Sequence, residues 1–226
     1  MAINLVKGQR ISIGLNRVGV GLGWDPNEME GQPFDLDASA FMIGSSKKIK
    51  SDEWFVFYNS EARVLPNNIG KFEPFDPVKY PKTTGDDGEK ISEDEHWKKK
   101  TRPSSPDFSV LGSIDDRTGG SSEGDDETIN VVLSRVPSEV QEIVFVVSIY
   151  EAEKRKQNFG QVRNSFIRIY DEETREEICK YELGEDFSVE TCIEFGRLYR
   201  RDNAWKFEAM GIGYKGGLQD LVDKYL

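Results

Sequence analysis

The chain has 226 residues, of which 30 are basic and 41 acidic, so its formal net charge is −11. Nucleic-acid binding needs a basic surface, and the most conspicuous basic run, Lys98–Lys100, is preceded by the acidic residues Glu93, Asp94 and Glu95. No apolar run approaches the roughly 20 residues of a membrane-spanning helix, and the N-terminus lacks the apolar core of a signal peptide. We therefore expect a soluble, cytoplasmic domain without nucleic-acid binding or a transmembrane segment.

The strand-forming pattern dominates the chain, because apolar residues recur at every second position in about ten short segments. In chain order these segments are 11–15, 18–24, 36–43, 54–58, 127–133, 143–150, 165–170, 177–183, 190–200 and 205–212. Outside a short helix that a capping box at 92–95 predicts, helical pieces are a predicted turn at 137–141, which has Pro137 near its start, and a predicted C-terminal helix over 218–226. So many short strands with so little helix predict an all-β protein, an antiparallel sandwich or barrel.

A long insertion interrupts this pattern. Residues 66–106 hold six of the nine prolines and lose the strand alternation. This composition predicts a long loop inserted between two strands of a single domain over 1–226.

Cysteine and histidine are scarce. The chain has two cysteines, Cys179 and Cys192, and one histidine, His96, and it lacks a Cys-x-x-Cys pair. A zinc site of Cys and His is therefore excluded, and a Ser–His or Cys–His nucleophile has no support. We expect both cysteines to be reduced and near the core, and His96 to lie in the inserted loop.

The first of two acidic segments spans residues 21–39 and contains Asp25, Asp35 and Asp37. In an extended chain, residues i and i+2 share a face, so Asp35 and Asp37 should point the same way while Leu36 points into the core. Paired carboxylates at a strand end suit a hard divalent cation, which takes six to eight oxygen ligands.

The second acidic segment, 121–130, puts four carboxylates into the five positions Glu123 to Glu127, interrupted only by Gly124. The same alternation predicts that Asp125 and Glu127 share a side and that Asp126 lies opposite. Gly124 allows close backbone approach, so its carbonyl is a further candidate ligand. The spacing alone leaves open both a cation site and a solvated acidic turn.

Two other motifs carry less weight. Residues 211–216 match Gly-x-Gly-x-x-Gly, but only ten residues follow, too few for a dinucleotide-binding unit, so we expect a turn before the last helix. Glu151 and Glu153 follow the most apolar strand inside a polar patch. We interpret this patch as a loop that supports the acidic end, with a carboxylate hydrolase as the alternative.

Several motifs together resemble the TerD family of tellurite-resistance and stress proteins. They are GLGWD…FDLDAS, WFVFYN, EGDDETI, EAEKRKQNFGQVRNSFIRIYD and ETCIEFGRLYRRDNAWKFEAMGIGY, in matching order over residues 1–65 and 107–226. The resemblance implies a β-sandwich, loosely similar to a C2 domain, that lacks enzymatic activity. It also implies that acids in the loops at one end of the sandwich hold one or two Ca²⁺ ions.

The resemblance also defines the predicted ligands. The positions that match the family's acidic motifs are Asp25, Asp35, Asp37, Asn59, Asp125, Asp126 and Glu127. The predicted site adds Gly124, Glu123 (which stands where the family usually has Asp), and Asp115 and Asp116, which align to within one residue.

The sequence therefore predicts a Ca²⁺-binding, non-enzymatic stress-response protein of the tellurium-resistance type. Calcium is expected to order the acidic loops and to support binding of partners, namely other tellurite-resistance-type proteins, some of them at a membrane face. The alternative is a protein-interaction scaffold with a solvated acidic rim and no physiological metal.

Overall fold

A computed structural model describes residues 2–25, 33–65, 100–114, 124–183 and 187–226, and these ranges are mostly β-strand. The strands are β1 (Ile3–Leu5), β2 (Arg10–Ile13), β3 (Arg17–Gly23), β4 (Leu36–Gly44), β5 (Phe55–Val56), β6 (Arg63–Val64), β7 (Arg102–Pro103), β8 (Val110–Leu111), β9 (Glu127–Val132), β10 (Val140–Ile149), β11 (Phe166–Asp171), β12 (Glu177–Glu182), β13 (Cys192–Arg201) and β14 (Ala204–Tyr214). The helices are a 3-10 turn (Asp52–Trp54), α1 (Ala152–Arg155) and α2 (Leu218–Tyr225).

Two six-stranded sheets form an open sandwich, which confirms the predicted all-β fold. Sheet A has the order β1-β12-β11-β3-β9-β8, and sheet B has the order β2-β14-β13-β10-β4-β5. Neighbouring strands are antiparallel except β1 and β12, which pair in parallel. Each strand therefore presents alternate residues to the space between the sheets.

The core lies between the two sheets and follows the predicted alternation. Val18, Val20 and Leu22 of sheet A and Ile143 and Phe145 of sheet B are fully buried members of one hydrophobic cluster. Burial of such side chains stabilises the fold by about 1.5–3 kcal/mol each. This packing fixes the strand ends that carry the acidic residues.

The helix α2 covers the outer face of sheet B, as its predicted apolar spacing requires. Its Leu221 and Tyr225 pack with Phe41, Val144 and Val146 in a second buried cluster. The motif over 211–216 lies at the end of β14 and in the turn before α2, as predicted.

The predicted turn at 137–141 is confirmed over 137–140, where the amide of Val140 donates to the Pro137 carbonyl at 3.0 Å, but it does not continue as a helix. Residues 138–139 form a turn, and β10 begins at Val140, which pairs with Gly44 of β4. The Arg200 guanidinium donates to the carbonyl oxygens of Val136 and Val140. Ladder pairing and these bonds outweigh the local helix-start signal of Pro137.

The two ends of the predicted insertion meet in a small separate sheet. Val64 of β6 pairs with Arg102 of β7, and Arg63 pairs with Pro103. Residues 66–99, including His96, lie outside the described residues.

Both cysteines are buried and free, as predicted. Burial raises the pKa of the Cys179 thiol to about 12 and also raises the pKa of Cys192. In the part of the chain that the structure describes, none of the helices is long and apolar enough to cross a membrane.

Candidate metal centre

Three strand ends meet at one end of the sandwich, which we call the acidic end. In sheet A, Leu22 pairs with Glu127, so the end of β3 lies beside the start of β9. Glu127 then reaches across to sheet B, where its Oε2 accepts a hydrogen bond of 2.5 Å from the amide of Ala38. This bond brings the second acidic segment next to Asp37, and so the fold gathers residues that are about 90 positions apart in sequence.

Three carboxylates at the acidic end are buried: Asp35 is 7% exposed, Asp37 6% and Glu127 4%. Leu36 between the first two points into the core, so the predicted alternation over 35–37 is confirmed. Burying a carboxylate is unfavourable unless hydrogen bonds or a cation compensate it. One compensation is visible at Asp35, whose Oδ2 accepts a hydrogen bond of 3.0 Å from Arg155.

Asp25 and Asp126 tie the loop ends to the strands. The Oδ2 of Asp126 accepts from the amide of Trp24 at 2.8 Å, and the amide of Asp126 donates to Leu22. Asp25 accepts from the Asn164 side chain at 2.7 Å. Both carboxylates thus lie where β3 ends.

Asp125 lies on the opposite side of sheet A from Glu127, so the predicted shared side is wrong. Its two oxygens accept from the Arg168 Nε and Nη2 at 2.7 and 2.8 Å, and these bonds raise the pKa of Arg168. The alternation fails because β9 begins only at Glu127, and Gly124 before it has a φ of 90°. Glycine adopts this left-handed conformation without strain. The segment 124–126 therefore bends before β9 instead of extending it, and Asp125 lies on the outer face.

Of the remaining predicted ligands with acidic or amide side chains, the structure describes one, Asn59. Asn59 is exposed in the turn after β5, and its neighbour Tyr58 contacts Tyr150 edge-on beside Asp35. Asp115, Asp116 and Glu123 lie outside the described residues.

A polar loop supports the acidic end from one side, as the sequence predicted. It comprises α1 and residues 156–165 and supplies Arg155 to Asp35 and Asn164 to Asp25. The two carboxylates of the hydrolase alternative, Glu151 and Glu153, are exposed here, and Glu151 pairs with Lys154 at 2.9 Å.

Sequence reasoning missed the basic residues of the site. Arg155 and Arg168 each pair with a carboxylate of the acidic end from a distant part of the chain. Both stand in the motif EAEKRKQNFGQVRNSFIRIYD. In a chain with several acidic segments, an arginine is a candidate ion-pair partner, and this was the signal available in the sequence.

The donors fit a hard divalent cation by type, since all of them are carboxylate, amide or carbonyl oxygens. Among the described residues, however, no group of three or more Asp, Glu, His or Cys side chains is close enough to hold a metal ion. A site built from three or more carboxylates would therefore need acids from outside those ranges.

The fold and its clustered acids define a β-sandwich with an acidic loop end. The TerD domain family model matches residues 1–65 and 86–225, so the chain belongs to the TerD family. The unmatched residues 66–85 lie inside the predicted insertion.

Curated relatives agree with this membership. General stress protein 16U of Bacillus subtilis (strain 168) is 40% identical over 231 residues, covering 100% of this chain and 97% of the relative. Tellurium resistance protein TerD of Serratia marcescens is 38% identical over 230 residues, with coverage of 100% and 97%. The chain therefore belongs to a family of tellurium-resistance and stress-response proteins.

A solved structure supports the fold alone. The crystal structure of a homologue of telluride resistance protein (TerD) from Streptomyces coelicolor A3(2) has a TM-score of 0.52 at 19% identity. The match covers 94% of this chain and 96% of that one.

Proposed function

We propose that this chain is a Ca²⁺-binding, non-enzymatic stress-response protein, in which the acidic end is the calcium site. The observation that carries the proposal is the convergence of carboxylates from three chain segments on one end of the sandwich. Asp35, Asp37 and Glu127 are buried there although like charges repel one another. A bound cation is a physical reason for such an arrangement.

Within the predicted set, the residues differ in suitability. Glu127 reaches the backbone beside Asp37, and Asp126 and Asn59 lie at the same end, so we propose these four residues as ligands together with the acids of 115–123. Asp125 contributes least, because Arg168 occupies both of its oxygens. When bound, one or two Ca²⁺ ions would neutralise the clustered acids and link their loops.

We further propose that the ordered acidic end binds a protein partner in the cytoplasm, of the tellurite-resistance type and in part at a membrane face. Two exposed aromatic residues, Tyr58 and Tyr150, lie beside the acids and are 37% and 40% exposed. Aromatic side chains are enriched in protein interfaces. Free buried cysteines are consistent with a reducing compartment.

A second candidate function is an interaction scaffold without a metal. Arg155 and Arg168 already pair with Asp35 and Asp125, and the described acids do not form a close group of three. In this case the acidic end would be a solvated rim with structural ion pairs.

The deciding experiment is calorimetric titration of Ca²⁺ into chelator-stripped protein, with Mg²⁺ as the competing cation. The test variant is Asp37→Asn with Glu127→Gln. The control is Asp202→Asn, an exposed acid in the β13–β14 hairpin at the opposite end of sheet B.

Saturable Ca²⁺ binding that the double variant weakens at least about tenfold, a difference of about 1.4 kcal/mol, supports the proposal if the control is unchanged. Absence of binding in the unmodified chain favours the scaffold. A hydrolytic activity that survives calcium removal and is lost in Glu153→Gln would contradict the non-enzymatic assignment.

A further inference from the structure

A second candidate site lies on the outer face of sheet A. A cavity of about 630 Å³ opens there, and its lining includes Arg17, Arg102, Asn130, Tyr170 and Arg175. Ligand pockets for small molecules occupy about 300–1,000 Å³, so the cavity has the size for one.

Arg102 is a buried guanidinium whose hydrogen-bond acceptors are all neutral. It is 8% exposed, and it donates to the carbonyl oxygens of Gly112 and Leu111 at 2.6 and 3.3 Å and to Asn130 Oδ1 at 2.5 Å. Among the described residues, no carboxylate lies within ion-pair distance of Arg102. Burial lowers the pKa of Arg102, and the nearby Glu172 carboxylate offsets this effect only in part.

The other cationic groups of the cavity differ in their pairing. Arg17 is neutralised by Glu172, with bonds of 3.1 and 3.3 Å. Arg175 lies over the Tyr170 ring at 4.6 Å and donates to its hydroxyl, and the described residues offer it no carboxylate. Two guanidinium groups, Arg102 and Arg175, therefore line one cavity against a single further acid, the exposed Glu173.

We infer that this cavity binds a small molecule that carries a phosphate monoester, with its oxyanion held by Arg102 and Arg175. Guanidinium groups bind phosphate oxygens through paired, charge-assisted hydrogen bonds. Asn130 and Thr128 add polar groups, and Ile114, which is 37% exposed, offers an apolar wall for the rest of the molecule. The net charge of −11 opposes a long polyanion, which favours a small ligand.

The inference does not depend on calcium binding, because the cavity shares no residue with the predicted metal ligands. The test is calorimetric titration of calcium-free protein in chloride buffer with inorganic phosphate and with glycerol phosphate. The variants are Arg175→Gln, which changes an exposed residue, and Arg102→Gln. The matched control is Arg201→Gln, an arginine in the β13–β14 hairpin whose side chain is 61% exposed.

Saturable binding of either compound supports the site if Arg175→Gln weakens it at least about tenfold and Arg201→Gln does not. Thermal melts check that Arg102→Gln still folds; if it does not, Arg175→Gln alone decides. A second arm of the experiment measures binding of the protein to vesicles that contain phosphatidic acid. If the protein binds the vesicles but not the free compounds, and if Arg175→Gln weakens this binding while Arg201→Gln does not, the phosphate belongs to a lipid headgroup. No saturable binding in either arm, or equal weakening by Arg201→Gln, overturns the inference.

Discussion

At the scale of single residues, the acidic end depends on close contacts between side chains and strand backbone. Asp125 lies directly over Gly21 of β3, where a Cβ would collide with its carboxylate. Arg168 holds that carboxylate from the neighbouring strand β11. The carboxylate therefore cannot move away without losing two charge-assisted hydrogen bonds.

This contact makes Gly21 sensitive to the smallest substitution. Gly21→Ala should lower the free energy of unfolding by about 1–3 kcal/mol, because the added methyl group overpacks an anchored side chain. Gly14→Ala is the control, since its added methyl group would meet open space, and it should change stability by less than about 0.5 kcal/mol. Urea unfolding measures both; equal stability of the two variants would show that Asp125 is not held against β3.

At the scale of elements, the outer face of sheet B carries a ladder of charges across its strands. Arg197 of β13 pairs with Glu142 of β10 and with Glu208 of β14. Lys47 and Arg10 extend the ladder to Glu142 and Glu208 at its two ends. Such a network ties strands together through charge rather than through apolar packing, so its contribution depends on pH.

Lowering the pH should weaken the ion pairs of this ladder and so lower the stability that they contribute. Burial by itself raises the pKa of Glu142 and Glu208, but hydrogen bonds from Lys47, Arg197 and Arg10 outweigh it and hold the pKa of both carboxyls below the usual 4.5. At pH values between the lowered pKa of the folded chain and the usual value, the unfolded chain therefore binds more protons than the folded chain. The stabilisation is present above pH 4.5 and is lost as the pH falls through the lower, folded values.

The measurement is urea unfolding at a series of pH values from neutral to about pH 3. The double variant Glu142→Gln with Glu208→Gln should be less stable than the unmodified chain at neutral pH and should lose less stability on acidification. Glu139→Gln, an exposed acid paired with Lys50, should follow the unmodified chain. Parallel curves for the double variant and the unmodified chain would refute the assignment.

At the scale of the whole molecule, local patterns in the sequence predict the elements but not their partners. Period-two alternation located the main strands, and apolar spacing located α2. The parallel pairing of β1 with β12 and the contact of Glu127 with Ala38 depend on long-range register, which one sequence does not encode locally. The position of Asp125 on the outer face depends on the bends before β9, which the alternating pattern does not indicate.

Local sequence patterns also do not predict the cavity on sheet A. Its cations come from positions 17, 102 and 175, which no motif connects. Arg102 in particular stands inside the predicted insertion, where the sequence indicated only a loop. What brings the three together is the strand order of sheet A and the contact of β7 with β8, where the amide of Gly112 donates to the Pro103 carbonyl.

In a chain with a net charge of −11, calcium would have two distinct effects on the stability of the whole molecule. Any salt screens the self-repulsion of an acidic chain, and the Debye length is about 3 Å at 1 M ionic strength. A specific site acts differently, since a ligand at a hundredfold excess over its Kd stabilises the native state by about 2.7 kcal/mol. At about 2–4 °C per kcal/mol for a chain of this size, the Tm would rise by about 5–10 °C.

We therefore expect the Tm of chelator-stripped protein to rise gradually with NaCl, and to rise further with Ca²⁺ even at high NaCl, where general screening is complete. Mg²⁺ at the same concentration should add less, because it requires a tighter octahedral site and gives up its water reluctantly. The Asp37→Asn and Glu127→Gln double variant should keep the response to NaCl and lose the additional response to Ca²⁺. If NaCl alone abolishes the difference between Ca²⁺ and Mg²⁺, the acidic end responds to ionic strength and the scaffold function is the better account.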